Sequence, residues 1–534
     1  MSLDDKQKLY IFDTTLRDGA QTAGVDFSFE EKRSIAQDLD KLGVDYIEGG
    51  FPGANPTDTE FFESDVPLTS SKLVAFGMTK RAGRSASNDD GLQMVINAKA
   101  PATCMVAKAW DFHVDVALNI SLQENLDNIE ASVKASVAAG KEAMIDCEHF
   151  FDGYKANPDF ALLCVETALT AGARWVILCD TNGGTLPDEI FDIVSIVIAK
   201  FGGDSIGIHT HDDTGNAVAN SLAAVSAGVR QVQGTLNGLG ERCGNANLTS
   251  LIPTLLLKKP YTDKFNLSIK HDMLPELLSI SRRLDELINM PSDKNAPYVG
   301  ENAFTTKAGI HASAIVKNPA TYEHIAPELV GNKRRLLVSN QAGKSNFLAE
   351  FKRMNIDVDA KHPKLNMLIA EVKKRESEGY SYESANASFY ILAKKLLGEL
   401  PDFFKVESFR VIVERRFNAK GHVITQSEAT VKINVGGVRY MSIGEGNGPV
   451  NALDAALRKD LGIYSDAIKD LELVDFKVRI LNGGTEATTR VLIESRDDTG
   501  ERWFTVGVSE NLIDASFNAL LDSIRYKLMK EKTT

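Results

Sequence analysis

A chain of 534 residues, 43% hydrophobic and 25% charged, is long enough for two or three packed domains and has the composition of a globular protein. With 60 basic against 73 acidic residues its net charge of −13 argues against a general polyanion-binding surface, so nucleic acid is not an expected partner. Five cysteines without CxxC spacing, no signal-peptide pattern at the start and no apolar run of membrane-spanning length point to a cytoplasmic protein in a reducing compartment, with no membrane partner.

From residue 8 to about 260, eight short β-rich runs alternate with stretches of helical length: LYIFDT, DYIEGG, KLVAFGMT, TCMVAKAW, EAMIDCEH, WVILCDT, SIGIHTH and QVQGTLN. Eight βα units in that length predict a TIM (β/α)8 barrel, with an open doubly wound sheet as the alternative because periodicity does not prove closure. Residues 261–400 read as a helical connecting region, with a break at MPSDKNAPYVGENA where Pro, Gly, Asn and Asp cluster. Residues 401–534 read twice as three strands and a helix, a βββα repeat of a C-terminal α+β regulatory domain. The expected division is therefore a catalytic barrel over 1–260, linker subdomains over 261–400 and a regulatory, dimerising domain over 401–534.

The chemistry concentrates at predicted strand ends. His209 and His211 are two apart on the seventh strand, so alternation puts both imidazoles on one face, at the barrel end where catalytic groups collect. A carboxylate is the expected third ligand, and DTTLRDGAQ after the first strand offers Asp13 and Asp18. Two histidines and an aspartate make a hard, partly open site that suits Mg²⁺ or Mn²⁺ and accepts Zn²⁺ or Co²⁺. Arg17, the cation of that segment, would stabilise charge developing on a keto oxygen.

DTTLRDGAQ, IEGGFPGANPTD, DTNGG, HTHDD and NGLGERCGNANL resemble, in order and spacing, the motifs of the isopropylmalate, homocitrate and citramalate synthases, metal-dependent Claisen enzymes, and the C-terminal repeat is similar to that family's regulatory domain. The GGFPGANPTD form is similar to a citramalate branch. The resemblance implies condensation of acetyl-CoA with a small 2-oxo acid, pyruvate in that branch. It makes Asp18, His209, His211 and Asn245 metal ligands, Arg17 the keto-acid contact, Thr181 a donor to the substrate carboxylate and Glu48 a group that positions water or substrate near the ion. It nominates Glu148 as general base, with Asp146 and Asp152 close by, and gives His311 and Tyr322 to the active site of the partner subunit of a homodimer. Asp212 and Cys243 depart from the family pattern without replacing an expected ligand. A metal-dependent aldolase or lyase would use the same barrel but lacks the repeat, and an amino-acid sensor would not need Arg17 and Asp18. In the repeat, the Gly-rich turn of SIGEGNGPVNALDAALRKDL precedes a helix, where free N–H groups suit a carboxylate. For the citramalate branch the implied effector is isoleucine.

Overall fold

The computed structural model describes residues 6–531 except 337–343, 355, 357, 359–361, 383–384, 418 and 482–486. The chain divides into two compact units, one of residues 1–304 and 325–334, the other of 305–324 and 335–534.

The first unit is built on eight parallel strands: β1 (Tyr10–Asp13), β2 (Tyr46–Gly50), β3 (Lys72–Met78), β4 (Ala102–Lys108), β5 (Glu142–Glu148), β6 (Trp175–Asp180), β7 (Ile206–Thr210) and β8 (Gln231–Gly234). All eight coincide with the runs read from the sequence. β8 bonds back to β1, with Tyr10 opposite Gln231 and Asp13 opposite Gly234, so the sheet closes and the doubly wound alternative is excluded. Helices cover the outer face, which is why strands such as β2 and β6 are buried along their whole length. Local signals start and stop these helices. Ser28 and Glu31 cap the first helix (α1, Phe29–Leu42) reciprocally, and Gly43 ends it in the left-handed region at φ 96°.

The barrel interior changes character along its axis. At the N-terminal end Phe12, Tyr46, Val74, Met144, Trp175 and Ile177 fill it as an apolar plug. Toward the C-terminal end the inward side chains become polar: Glu48, Asp146, His209 and Gln233 are all buried. A packed floor therefore carries a polar mouth. In the same unit residues 290–304, where a break was expected, contain no helix or strand, and a helix at Glu276–Leu287 packs against α1.

In the second unit the expected helical stretch NMLIAEVKKRESEGYSYESANASFYILAKKLLG is two helices, α2 (Pro363–Ser377) and α3 (Asn386–Leu397), because the chain enters the left-handed region at Gly379, φ 108°. The βββα repeat is present twice. β9 (Lys405–Phe417), β10 (Val423–Val435) and β11 (Val438–Gly446) carry α4 (Pro449–Lys459). β12 (Glu472–Ile480), β13 (Thr489–Arg496) and β14 (Arg502–Ser509) carry α5 (Leu512–Glu531). Every second residue of β10 from Ser427 and of β13 is buried, and one core joins Val431, Leu453 and Leu457 of the first repeat to Ile493, Trp503 and Ile524 of the second. The strands of the repeat also leave Phe417, Met441 and Ile480 exposed. Among the described residues no helix is long and apolar enough to cross a membrane.

The plug is testable. Trp175 is fully buried, and its indole N–H donates to the Tyr46 hydroxyl at 3.1 Å. Trp175→Ala should cost about 3–5 kcal/mol through lost burial and the cavity left behind, lowering the denaturation midpoint followed by far-UV circular dichroism. A midpoint equal to the parent's would show that the barrel floor does not depend on this side chain.

Candidate active site

The turn after β1 is set by Asp13, whose carboxylate accepts from the Thr15 amide at 2.9 Å and its hydroxyl at 2.8 Å. Burial pushes the Asp13 carboxyl up to about 7 against those bonds. Asp13 is thus spent on the turn, and of the two candidate aspartates it is Asp18 that reaches the mouth. Asp18 Oδ2 lies 3.5 Å from His209 Nε2, and His209 Nε2 lies 3.2 Å from His211 Nε2. Burial opposes the Asp18 charge, but Arg17, His209 and His211 hold its carboxyl below the ordinary range. Burial, reinforced by His209, pushes the His211 imidazole down to about 3, so the ring is neutral with its lone pair available.

Asn245 joins this group through the loop after β8. An isolated antiparallel bridge pairs His211 with Asn245, and the Asn245 amide nitrogen donates to Asp18 Oδ2 at 3.0 Å. Its Oδ1 is buried without a partner, against Gly240. The loop needs its glycines: a Cβ on Gly244 would stand 2.0 Å from the Gly238 carbonyl oxygen, and one on Gly240 2.4 Å from Asn245 Oδ1. Arg242 ties this loop to its neighbours, meeting Asp213 at 2.8 and 2.9 Å and donating to the Thr181 carbonyl at 2.8 Å.

Arg17 stands beside Asp18 with its side chain 13% exposed. Its Nε donates to Glu48 Oε2 at 2.7 Å, its Nη1 to Asp18 Oδ1, and its guanidinium lies 3.9 Å from the centroid of the Phe76 ring. Burial works against the charge, and Asp18, Glu48 and Asp146 together outweigh it, so Arg17 stays cationic. Burial also pushes the Glu48 carboxyl up to about 8, and Glu48 Oε1 has no hydrogen-bond partner. Deeper in the barrel, ligand atoms of Glu48, Cys104 and Asp146 lie within 4.8 Å of one another. Arg17 Nε is bonded to Glu48 there, whereas in the His209–His211–Asp18 set Arg17 takes only Oδ1 of Asp18, and Oδ2 faces the two imidazole nitrogens. That set fits a divalent ion: two neighbouring ligands of an octahedral ion with bonds of about 2.1 Å are about 3 Å apart.

The three acids of the β5 end are now distinct. Asp146 is buried in the barrel, where burial pushes its carboxyl up. Asp152 accepts from Asn182 at 3.0 Å and pairs with His149 Nδ1 at 2.9 Å, a bond that leads in holding its carboxyl below the ordinary range. Glu148, at the end of β5, is paired with Lys108 and 25% exposed in its side chain. Thr181 accepts from the His149 amide at 2.8 Å, leaving its hydroxyl proton free to donate elsewhere. His311 and Tyr322 belong to the second unit and face each other with ring centroids 4.3 Å apart. Sequence reasoning did not find Gln233, which meets His209 Nδ1 at 2.8 Å, or Phe76 beneath Arg17, or Lys108. Gln233 and Phe76 read as ordinary strand residues, and only the pairing of strands across the barrel reveals what they face.

Residues 8–279 match the HMGL-like family model, 298–379 the homocitrate synthase post-HMGL domain-like model, and 383–528 the LeuA allosteric (dimerisation) domain model. The chain is 49% identical to an (R)-citramalate synthase of Aquifex aeolicus, over 98% of this chain and 99% of that one. It is 48% identical to the (R)-citramalate synthase of Geobacter sulfurreducens, over 98% of each chain. A third (R)-citramalate synthase, from Synechocystis, is 46% identical over 98% of this chain and 96% of the relative. Matched end to end at this level, and carrying both the barrel and the C-terminal repeat, the chain belongs to the (R)-citramalate synthase family.

Proposed function

We propose that this chain joins acetyl-CoA to pyruvate and hydrolyses the thioester, giving (R)-citramalate and CoA. The observation that carries the reading is the convergence of Asp18, His209 and His211 beside Arg17 in a chain of this family. Those three residues would hold a divalent ion, Mg²⁺ or Mn²⁺ by their hardness, and Asn245 would join them once its amide turns to present oxygen. The ion, when bound, supplies chelation of the 2-oxo acid and polarisation of its keto carbonyl.

The protein's own groups divide the rest. Arg17, held by Glu48 and Asp18 and with Nη2 outside both contacts, stabilises the alkoxide formed as the new carbon–carbon bond closes. Thr181 donates to the substrate carboxylate. Glu148, paired with Lys108, removes the acetyl methyl proton. Glu48, with its carboxyl pushed up to about 8, carries a proton on the unpartnered Oε1 near neutral pH and can donate it to a water. A cavity of about 410 Å³, lined by Arg17, Phe51 and Phe76, gives room beside this centre. Five relatives between 43% and 49% identical all carry the (R)-citramalate synthase name, which favours pyruvate over the larger oxo acids of isopropylmalate and homocitrate synthases and over a lyase reaction.

The division into a catalytic barrel (1–260), linker (261–400) and regulatory domain (401–534) belongs to the same reading, as does a homodimer through the exposed apolar sheet faces of the repeat. In that dimer His311 and Tyr322 would serve the active site of a second copy. Isoleucine is the proposed effector. Gly444 and Gly446, at the end of β11, owe their place to close packing, since a Cβ on Gly444 would lie 2.4 Å from the Ala456 nitrogen and one on Gly446 2.4 Å from Asn451 Oδ1, whereas one on Gly448 would meet nothing within 4 Å. Five cysteines without a disulfide agree with a cytoplasmic location.

The first test is thiol release from acetyl-CoA with pyruvate, 2-oxoisovalerate and 2-oxoglutarate. Pyruvate should be the preferred acceptor, EDTA should stop the reaction and Mn²⁺ should restore it; full activity in metal-free protein refutes the ion site. Arg17→Lys should lower kcat by at least about 100-fold, since a point ammonium cannot hold Glu48, Asp18 and substrate in one plane, and near-parent turnover would remove Arg17 from the reaction centre. In an inhibitor titration, isoleucine should slow the full chain more than leucine does; the reverse order would defeat the effector assignment.

A further inference from the structure

We propose that Gln233 is a positioning residue for His209, fixing which ring nitrogen of that imidazole faces the ion. The inference rests on the reading of Asp18, His209 and His211 as ligands. Gln233 is fully buried on β8, inside the barrel. Its Oε1 lies 2.8 Å from His209 Nδ1 and its Nε2 3.4 Å from Asp146 Oδ1.

A carboxamide is asymmetric: its oxygen only accepts and its nitrogen only donates. With the amide nitrogen turned to the Asp146 carboxylate, the oxygen must face the imidazole, and His209 Nδ1 must carry the proton. An imidazole that ligates an ion is neutral and has one N–H, so with that proton on Nδ1 its Nε2 offers the lone pair. That nitrogen stands 3.2 Å from His211 Nε2 and 3.5 Å from Asp18 Oδ2, where the ion would sit. Turning the amide over would put an N–H against Nδ1 and drive the ring proton to Nε2, where it would repel a cation. Asp146 therefore sets the amide, and the amide sets the histidine. The neutral amide does this without adding charge to a pocket that already holds Glu48, Asp146 and Asp18. Gln233 touches neither the ion nor the substrate; its effect passes through the orientation and tautomer of a ligand.

The test uses the full-length protein stripped of metal, with Mn²⁺ as probe and free Mn²⁺ followed by electron paramagnetic resonance. Gln233→Met keeps the volume and removes the acceptor, and should raise the Mn²⁺ Kd about 10–100-fold. Gln233→Glu keeps an acceptor oxygen at the same reach and should recover most of that loss, which a role in packing alone would not predict. Thermal midpoints of the metal-free variants report any folding defect separately. If Gln233→Met does not fold, Gln233→Asn, too short to reach the ring, carries the same expectation of weakened binding. His209→Ala is the control for the underlying reading. Should His209→Ala weaken Mn²⁺ while the folded Gln233 variants bind it like the parent, the positioning role is overturned. Equal weakening in Gln233→Met and Gln233→Glu overturns it as well. Parent-like Mn²⁺ binding in His209→Ala would instead sink the ion site itself.

Discussion

A guanidinium taken out of water must be matched by acids, and the match made around Arg17 organises the mouth of the barrel. Arg17 comes from the turn after β1, and Glu48, on the neighbouring strand β2, holds its Nε. Asp18, the next residue in the chain, is held by the same cation at one oxygen and by Asn245 at the other. Asn245 is placed by its bridge to His211, so four separate segments are registered on one charge cluster. Phe76, 3.9 Å from the guanidinium, closes the remaining side with a π face instead of water. Truncating Asp18 would remove one of the acids that offset a buried cation, a costlier loss than that of a surface pair. Specific geometry, more than added stability, is the return on such an arrangement.

That cluster is possible only because the barrel is closed and graded. Below it, Phe12, Met144, Trp175 and Ile177 pack as a buried apolar floor. The polar residues above it must satisfy one another or a ligand. Most do, through the Asp146–Gln233–His209 chain and the Arg17–Glu48–Asp18 cluster. Of the buried atoms that do not, Glu48 Oε1, His211 Nδ1 and Asn245 Oδ1 lie at the place where substrate, ion and water would come, while others such as Gln231 Oε1 lie away from it. Unpaired polar atoms gathered at the mouth are what a binding site requires before its ligands arrive.

The eight strands could be read from the sequence because buried parallel strands are short runs of β-branched and aromatic residues between amphipathic helices, and the repeat because its half-buried strands alternate. His209 and His211 were visible for the same reason, as a period of two at a strand end. Closure was not visible, since the pairing of Tyr10 with Gln231 joins positions more than two hundred residues apart and leaves no local trace. Gln233 was hidden because a lone glutamine in a strand looks like a solvent-facing residue until the barrel turns it inward. The break at Gly379 was overridden in the reading by good helix formers on both sides, although a left-handed glycine is an ordinary helix stop. The choice between Asp13 and Asp18 needed three dimensions as well, because both are buried near one turn and only bonding tells the acid that holds the turn from the one that faces the histidines.

The same logic separates the three acids after β5. A base for a carbon acid has to be ionised near neutral pH, reachable by substrate and not already committed to a stronger partner. Asp146 fails on reach: it is buried, and its carboxyl is pushed up by that burial. Asp152 is ionised, but both its partners, His149 and Asn182, are bonded to one oxygen and hold it against the loop. Glu148 is partly open and is paired through one oxygen with Lys108, which favours it as the proposed base. The His149 backbone, in the left-handed region at φ 53°, then places its amide on Thr181, so the segment that presents the base also fixes the hydroxyl proposed to hold the substrate carboxylate. An uncommon backbone conformation in a non-glycine residue is kept where surrounding contacts over-determine it, and here those contacts would link the proposed base to the proposed carboxylate donor through a single residue.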